Sequence, residues 1–428
     1  MSRHPYVQEN LRAQEFQAVD LPGQGDLEAA QATHQKQARL LCQKEFDPRE
    51  LREQFAAVAN RASGSDSLVN EARSWAEQHT IRLGVHMTRG VLTPVEAARS
   101  MSDILDICLA ALLPVVKHEF ELAHGDLPNS RIGLVALDAA GRRELANGAP
   151  LELMFIYDHD PVRANADTIT PEAWHEQLLQ RLMLLVRQLS SEGMLYEAKP
   201  AYALRRNGSD GGALSIGQLQ AHIGEGASLA DLRTLAHARV IEAQGDLDTN
   251  FKALRQTLFG QRDQLATAVH QLAALRNQAR QNQTVMDIWA IDRFRGGLAD
   301  LTMAADYLLL RGAAPGSEPI TLPATFEAAA QRGLIATDTA QDLIDATLLW
   351  QNLDGLFRMT NGGRFNPKAI RPDQRQSIAE LTGTESFDAV LRLITETSVG
   401  ASVRIHEVFS GMRLTQGDSG GALNLRTA

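Results

Sequence analysis

Residues 131–160, RIGLVALDAAGRRELANGAPLELMFIYDHD, constrain the fold of this chain more than any other stretch. Two short apolar runs, 132–137 and 151–157, are each bounded by turn residues. Runs of this length and bounding read as strands covered on both faces. The chain on either side reads mostly as helix, so this stretch is its β-centre.

Before it, Thr93, Pro94 and Glu96 form a capping-box start with proline in the first turn. Val95, Ala98, Met101, Leu105, Cys108, Leu112 and Val116 then recur at three- and four-residue steps, which buries one helix face and makes Cys108 a small core hydrophobe. After it, Thr170 and Pro171 open a second helix with the stripe Trp174, Leu178, Leu182, Leu185 and Leu189, stopping at Gly193. From Ile216 onward the chain reads as helices. The spacing therefore predicts a mixed sheet of 131–137, 151–157 and roughly 194–204, flanked by helices at 94–117 and 171–190.

Residues 1–65 are polar and rich in glutamine, a composition that buries too little apolar surface to offset chain entropy. They read as an arm, disordered or helical in part, ending in an Ala-Ser-Gly-Ser-Asp-Ser linker at 62–67. The expected organisation is this arm, a domain over 66–215, a helical domain over 216–412 and a disordered tail over 413–428.

Several segments resemble the adenylylating half of the bacterial glutamine synthetase adenylyltransferases, a family of nucleotidyltransferases. Gly141, Arg143, Glu144 and Leu145 fall on its G-G-R-E-L element, and the run from Leu151 to Asp158 on its D-L-D-L-I-F-x-Y-D strand. Ser102, Asp103, Ile104, Leu105 and Asp106 resemble its S-D-L-A-D helix, and Leu195, Tyr196 and Glu197 its L-Y-E. Ala238, Arg239, Val240, Gly245 and Asp246 match a later segment, and Gly296, Gly297, Leu298, Asp300, Tyr307 and Leu308 another. The resemblance runs over about 66–410 in the right order. It implies an α+β fold: a small nucleotidyltransferase-like mixed β-sheet with flanking helices, followed by an α-helical bundle.

The polar letters depart from the family. Its enzymes hold Mg²⁺ with paired carboxylates that neutralise charge at the transferred phosphoryl group. Here those three positions are Pro150, Glu152 and Lys199. Proline has no ligand, and a lysine repels a cation. Glu152 is the one carboxylate kept; Asp158 and Asp160 lie on its side of the strand by alternation, making Glu152 and Asp158 the metal candidates. If a nucleotide binds, Gly141, Arg143, Arg205 and Arg206 are the candidates to hold it.

The resemblance thus implies a catalytically degraded relative, a pseudoenzyme acting as a protein-binding or regulatory module, with no cofactor. Its partner would be glutamine synthetase or a paralogous adenylyltransferase. One alternative is an active enzyme that moves AMP from ATP, with Mg²⁺, to a tyrosine of glutamine synthetase. Another is a structural subunit of an unrelated assembly. A net charge of −10 with no clustered Lys or Arg argues against nucleic acid. Two cysteines, Cys42 and Cys108, and no membrane span or signal core suit a reducing cytoplasm.

Overall fold

A computed structural model of the chain describes residues 46–159, 169–189, 194–201, 204, 212–260, 262–281, 289–313, 319–361 and 370–411. Arg205, Arg206, Asp160, Gly193 and the tail after Gly411 lie outside these described residues.

The two apolar runs form the centre of a five-stranded mixed sheet. Strands β1 (Arg131–Ala136) and β2 (Leu151–Asp158) pair antiparallel, Arg131 opposite Asp158 and Ala136 opposite Leu153. β3 (Ala198–Pro200) and β4 (Ala213–Ser215) both run parallel to β2, β3 along its first half and β4 along its second. β5 (Arg239–Ala243) closes the other edge, antiparallel to β1 and shifted by a bulge between Leu134 and Val135.

Side-chain alternation divides the sheet between two cores. Ile132, Leu134, Leu151, Leu153 and Phe155 pack on one side with helices α1 (Pro48–Ala59), α2 (Ser65–Thr88), α3 (Pro94–His124) and α5 (Pro171–Arg187). Val135, Leu137, Met154 and Ile156 pack on the other with the helices that follow Ile216. A four-residue helical turn, α4 (Asp138–Gly141), connects β1 toward β2. The later helices are α6 (Ile216–Gly226), α7 (Leu229–Ala236), α8 (Leu247–Gly260), α9 (Arg262–Gln281), α10 (Leu298–Leu310), α11 (Leu322–Gln331), α12 (Thr337–Asn361), α13 (Pro372–Leu381) and α14 (Phe387–Ser410).

The expected caps fold as read. Thr93 and Glu96 make the reciprocal capping box of α3, and the Thr170 side chain accepts from Ala173 N to start α5. Cys108 is fully buried and burial pushes its thiol up, as suits an inert core residue.

Three expectations need correction. Residues 239–243 are a strand, not helix: Val240 and Ile241 are β-branched and find the open edge of β1. The run at 62–67 is not a linker throughout, since α2 begins at Ser65, whose N–H and hydroxyl are both held by the Glu119 carboxylate. Just before it, Leu51 and Phe55 of α1 are buried in the core of α2 and α3. Leu189, beyond the end of α5, is exposed instead of continuing its stripe.

The helical bundle is joined to the sheet by specific contacts. Glu144, after α4, accepts from the N–H of Leu322 at the start of α11 (2.8 Å), and Val95 N donates to Asn352 of α12 (3.2 Å). Within the bundle, Gly296 has positive φ, and a Cβ there would lie 2.2 Å from the Ser398 carbonyl oxygen. Its own carbonyl accepts from the Trp350 indole (2.9 Å), and its N–H donates to Asp300, which Arg276 grips in turn. The Gly-Gly-Leu-Ala-Asp segment is therefore a packing joint. No helix among the described residues is long and apolar enough to cross a membrane.

Candidate functional site

The candidate site lies at the end of the sheet where β1 runs into α4 and β2 begins. Glu152 is the second residue of β2, and its carbonyl accepts from Leu137 N (3.1 Å) at the end of β1. By alternation its side chain shares the face of Met154 and Ile156. Parallel pairing sets Lys199 of β3 directly beside it. The Lys199 ammonium lies 2.6 Å from a Glu152 carboxylate oxygen, with the lysine side chain 44% and the glutamate 21% exposed. Pro150 is exposed just before the strand. Pro150 offers no side-chain ligand, and Glu152 and Lys199 pair with each other.

Asp158 does not join them. It stands six residues along a continuous strand, about 20 Å away at about 3.3 Å per residue. There its carboxylate is held by Arg131, which also reaches Asp246 (2.9 Å) after β5. Among the described residues, no three His, Cys, Asp or Glu side chains group to hold a metal ion. Among the described residues, those around Glu152 do not fit a Mg²⁺ site: such an ion needs several oxygen ligands, and the Glu152 carboxylate is paired with Lys199.

The α4 turn is closed in on itself. Gly141 N donates to the Leu137 carbonyl (3.0 Å), Arg142 N to Asp138 (3.0 Å), Arg143 N to Ala140 (3.2 Å) and Glu144 N to Ala139 (2.8 Å). A phosphate cradle needs such N–H groups turned outward. Gly141 is required by close packing: a Cβ there would lie 1.7 Å from the carbonyl oxygen of His237.

Arg143, the other described nucleotide candidate, is engaged by carboxylates. At a positive φ, it pairs with Asp103 and lies 3.5 Å from Asp106 of α3. Arg239 of β5 binds Asp106 through two hydrogen bonds (2.7 and 2.9 Å) and donates to the carbonyls of Ala140 (3.0 Å) and Gly141 (3.2 Å). Burial raises the Asp106 pKa, and the two arginines pull against that rise. Arg142 pairs with Glu144 (2.7 Å), the residue that caps α11.

One polar group escaped the sequence reading. His237, between α7 and β5, donates its Nε2–H to Asp306 of α10 (2.6 Å), and Arg233 of α7 holds the other Asp306 oxygen (2.6 Å). His237 and Asp306 are 2% and 1% exposed. Burial works to raise the Asp306 carboxyl, but His237 and Arg233 outweigh it and hold the group below its ordinary range. Burial, then nearby Arg142, lower the His237 pKa against the pull of Asp306. Asp306 was visible only as an acidic letter in a family-like segment, with nothing to point to its partners.

A family profile described as glutamate-ammonia ligase adenylyltransferase matches residues 27–254, just over half of the chain. The chain is also similar to proteins named bifunctional glutamine synthetase adenylyltransferase/adenylyl-removing enzyme. That of Mesorhizobium japonicum is 25% identical over 337 residues, 78% of this chain and 34% of the relative. That of Rhizobium meliloti is 26% identical over 310 residues, 71% and 31%, and that of Bradyrhizobium diazoefficiens 22% over 357, 82% and 36%. The chain spans about a third of the length of these relatives.

Proposed function

The chain belongs to the glutamate-ammonia ligase adenylyltransferase family, and from that premise we propose that it is a non-catalytic member that acts by binding a protein partner. The observation that carries this reading is the Glu152–Lys199 ion pair. Adenylyl transfer depends on metal ions that bridge the nucleotide phosphates and neutralise developing charge. Two unit charges about 4 Å apart repel by roughly 4 kcal/mol at an effective dielectric of 20, and a divalent ion doubles that. Lys199 is partly exposed, so solvent screening reduces the figure. Even a surviving half is about a thousandfold in metal affinity.

No cofactor is required by this function. Gly141 and Arg143 hold the turn and α3 together, and the turn's own carbonyls take up four of its amides.

The partner we favour is glutamine synthetase, because the relatives are named for it; a paralogous adenylyltransferase is the second choice. The full chain, immobilised, is exposed in turn to purified glutamine synthetase and to the adenylyltransferase of the same organism. Retention of either without ATP or Mg²⁺ is the expected result. Retention of neither would remove the protein-binding role.

A further inference from the structure

Among the described residues, α14 leaves one of its faces to solvent. Val390, Ile394, Ala401, Ile405 and Val408 are buried in the bundle, where the helix packs on α10, α12 and α13. On the opposite face Arg392, Glu396, Val399, Val403, His406 and Ser410 are exposed. Val399 and Val403, at its centre, are 59% and 53% exposed. The residues of this face recur at steps of four, three, four, three and four, the spacing of a coiled-coil seam. A Cβ at Gly400, beside the two valines, would meet nothing within 4 Å.

We infer that this face of α14 pairs with the same face of a second copy of the chain, antiparallel and about a two-fold axis. In such a pairing Val399 meets Val403 of the second copy, Glu396 meets His406, and Arg392 meets Ser410 in the last turn. Each contact is made twice, as an isologous interface requires. The valines form the apolar centre, and the polar residues stand opposite partners of complementary character.

Charge selects this occupant and this direction. A carboxylate opposite an imidazole is a hydrogen-bonded pair when the histidine is neutral and an ion pair when it is protonated. Arg392 falls beside the C-terminal carbonyls of the other helix, the negative end of its dipole. A parallel pairing would instead set Glu396 on Glu396 and Arg392 on Arg392, which repel. Gly400 and Ser402 flank the axis, where small residues let the two backbones approach. From Arg392 to Ser410 the seam is about 27 Å long at about 1.5 Å per residue. One helix pair of that length buries less than the roughly 1,200 Å² of a standard interface, which makes the dimer a weak one.

The test is sedimentation equilibrium of the full chain from about 1 to about 300 µM, a range that brackets a weak dimer. Wild type is expected to pass reversibly from monomer to dimer within it. Val399→Asp puts a carboxylate into both central layers and should weaken the dimer at least about tenfold. Glu396→Lys and His406→Glu should each weaken it about threefold or more, since each leaves unmatched or like charges opposite one another. The double variant Glu396→Lys/His406→Glu sets opposite charges face to face again and should recover wild-type association. All these positions are exposed, so melting temperatures measured at low concentration should match wild type.

Wild type that stays monomeric over the whole range would overturn the inference. A dimer equally tight in Val399→Asp would be formed by another surface, which is also contrary. Single charge variants that associate like wild type, or a double variant that fails to recover, would refute the antiparallel register.

Discussion

The guanidinium of Arg239 binds the carboxylate of Asp106 through two hydrogen bonds, 2.7 and 2.9 Å long, and so ties an edge strand to a buried helix. Arg143 approaches the same carboxylate from the α4 turn. Removing one member of a buried ionic group leaves its partners uncompensated, whereas removing a whole pair in favour of apolar side chains does not. Asp106→Ala is therefore expected to cost about 3 kcal/mol or more in urea unfolding. The double variant Asp106→Leu/Arg239→Met should recover a good part of that. A loss under about 1 kcal/mol for the single variant would show that the network is not buried as described.

Gly141 tests the packing of the same turn. Alanine there would drive its Cβ into the carbonyl oxygens of His237 and Ala136, at 1.7 and 2.9 Å. Both contacts are backbone and cannot rotate away. Gly141→Ala should cost about 3 kcal/mol, at the upper end for overpacking. Equal thermal stability of variant and wild type would be inconsistent with the close approach.

Phe55 tests whether α1 belongs to the body of the protein. It is buried, with its ring centroid 4.8 Å from that of Trp75 on α2. Phe55→Ala should destabilise the whole chain by about 3–5 kcal/mol, as truncation of a core aromatic does. An arm that folds apart from the core would give a change near zero.

Two buried histidines set a dependence on pH. His175 donates Nδ1–H to the Pro171 carbonyl (2.7 Å) and accepts at Nε2 from the Ser130 hydroxyl (2.9 Å). Burial lowers its pKa to about 4, and burial with nearby Arg82 lowers that of His79 to about 4. The folded values lie below the ordinary 6.5, so between them the unfolded chain binds more protons. Stability rises with pH in that window and is lost as pH falls from about 6.5 through about 4, by about 3 kcal/mol per histidine at most. Urea unfolding of wild type beside His175→Gln and His79→Gln should show a shallower acid loss in each variant. Identical slopes would mean these imidazoles are not held neutral.

Much of the fold was legible because its signals are local. The runs that became β1 and β2 announce themselves by length and bounding turns, and Thr93 and Thr170 by the caps they make. β5 was not legible: four half-buried residues and the exposed Glu242 between helical stripes carry little pattern, and only the free edge of β1 makes them a strand. The helix at α1 was legible in part from Leu51 and Phe55, but not the core that they enter, because its other side belongs to α2 and α3.

At the site, sequence showed which letters had changed but not what they touch. Lys199 could be read as unfriendly to a metal; that it meets Glu152 depends on the strand register. Arg143 was a sound anion candidate by type, because a guanidinium suits phosphate and carboxylate alike. Its actual partners, Asp103 and Asp106, lie on a helix that sequence alone does not bring near. His237 and Asp306 are farther apart still in the chain, and no local pattern links them.

The central claim, that this family member does not transfer AMP, is tested most directly by incubating the full chain with α-labelled ATP, Mg²⁺ and glutamine synthetase, with Glu152→Ala alongside. The expected result is no label on glutamine synthetase from either protein, because Glu152 is neutralised by Lys199. Metal-dependent labelling by wild type that vanishes in Glu152→Ala would contradict the account and show a working site at this end of the sheet.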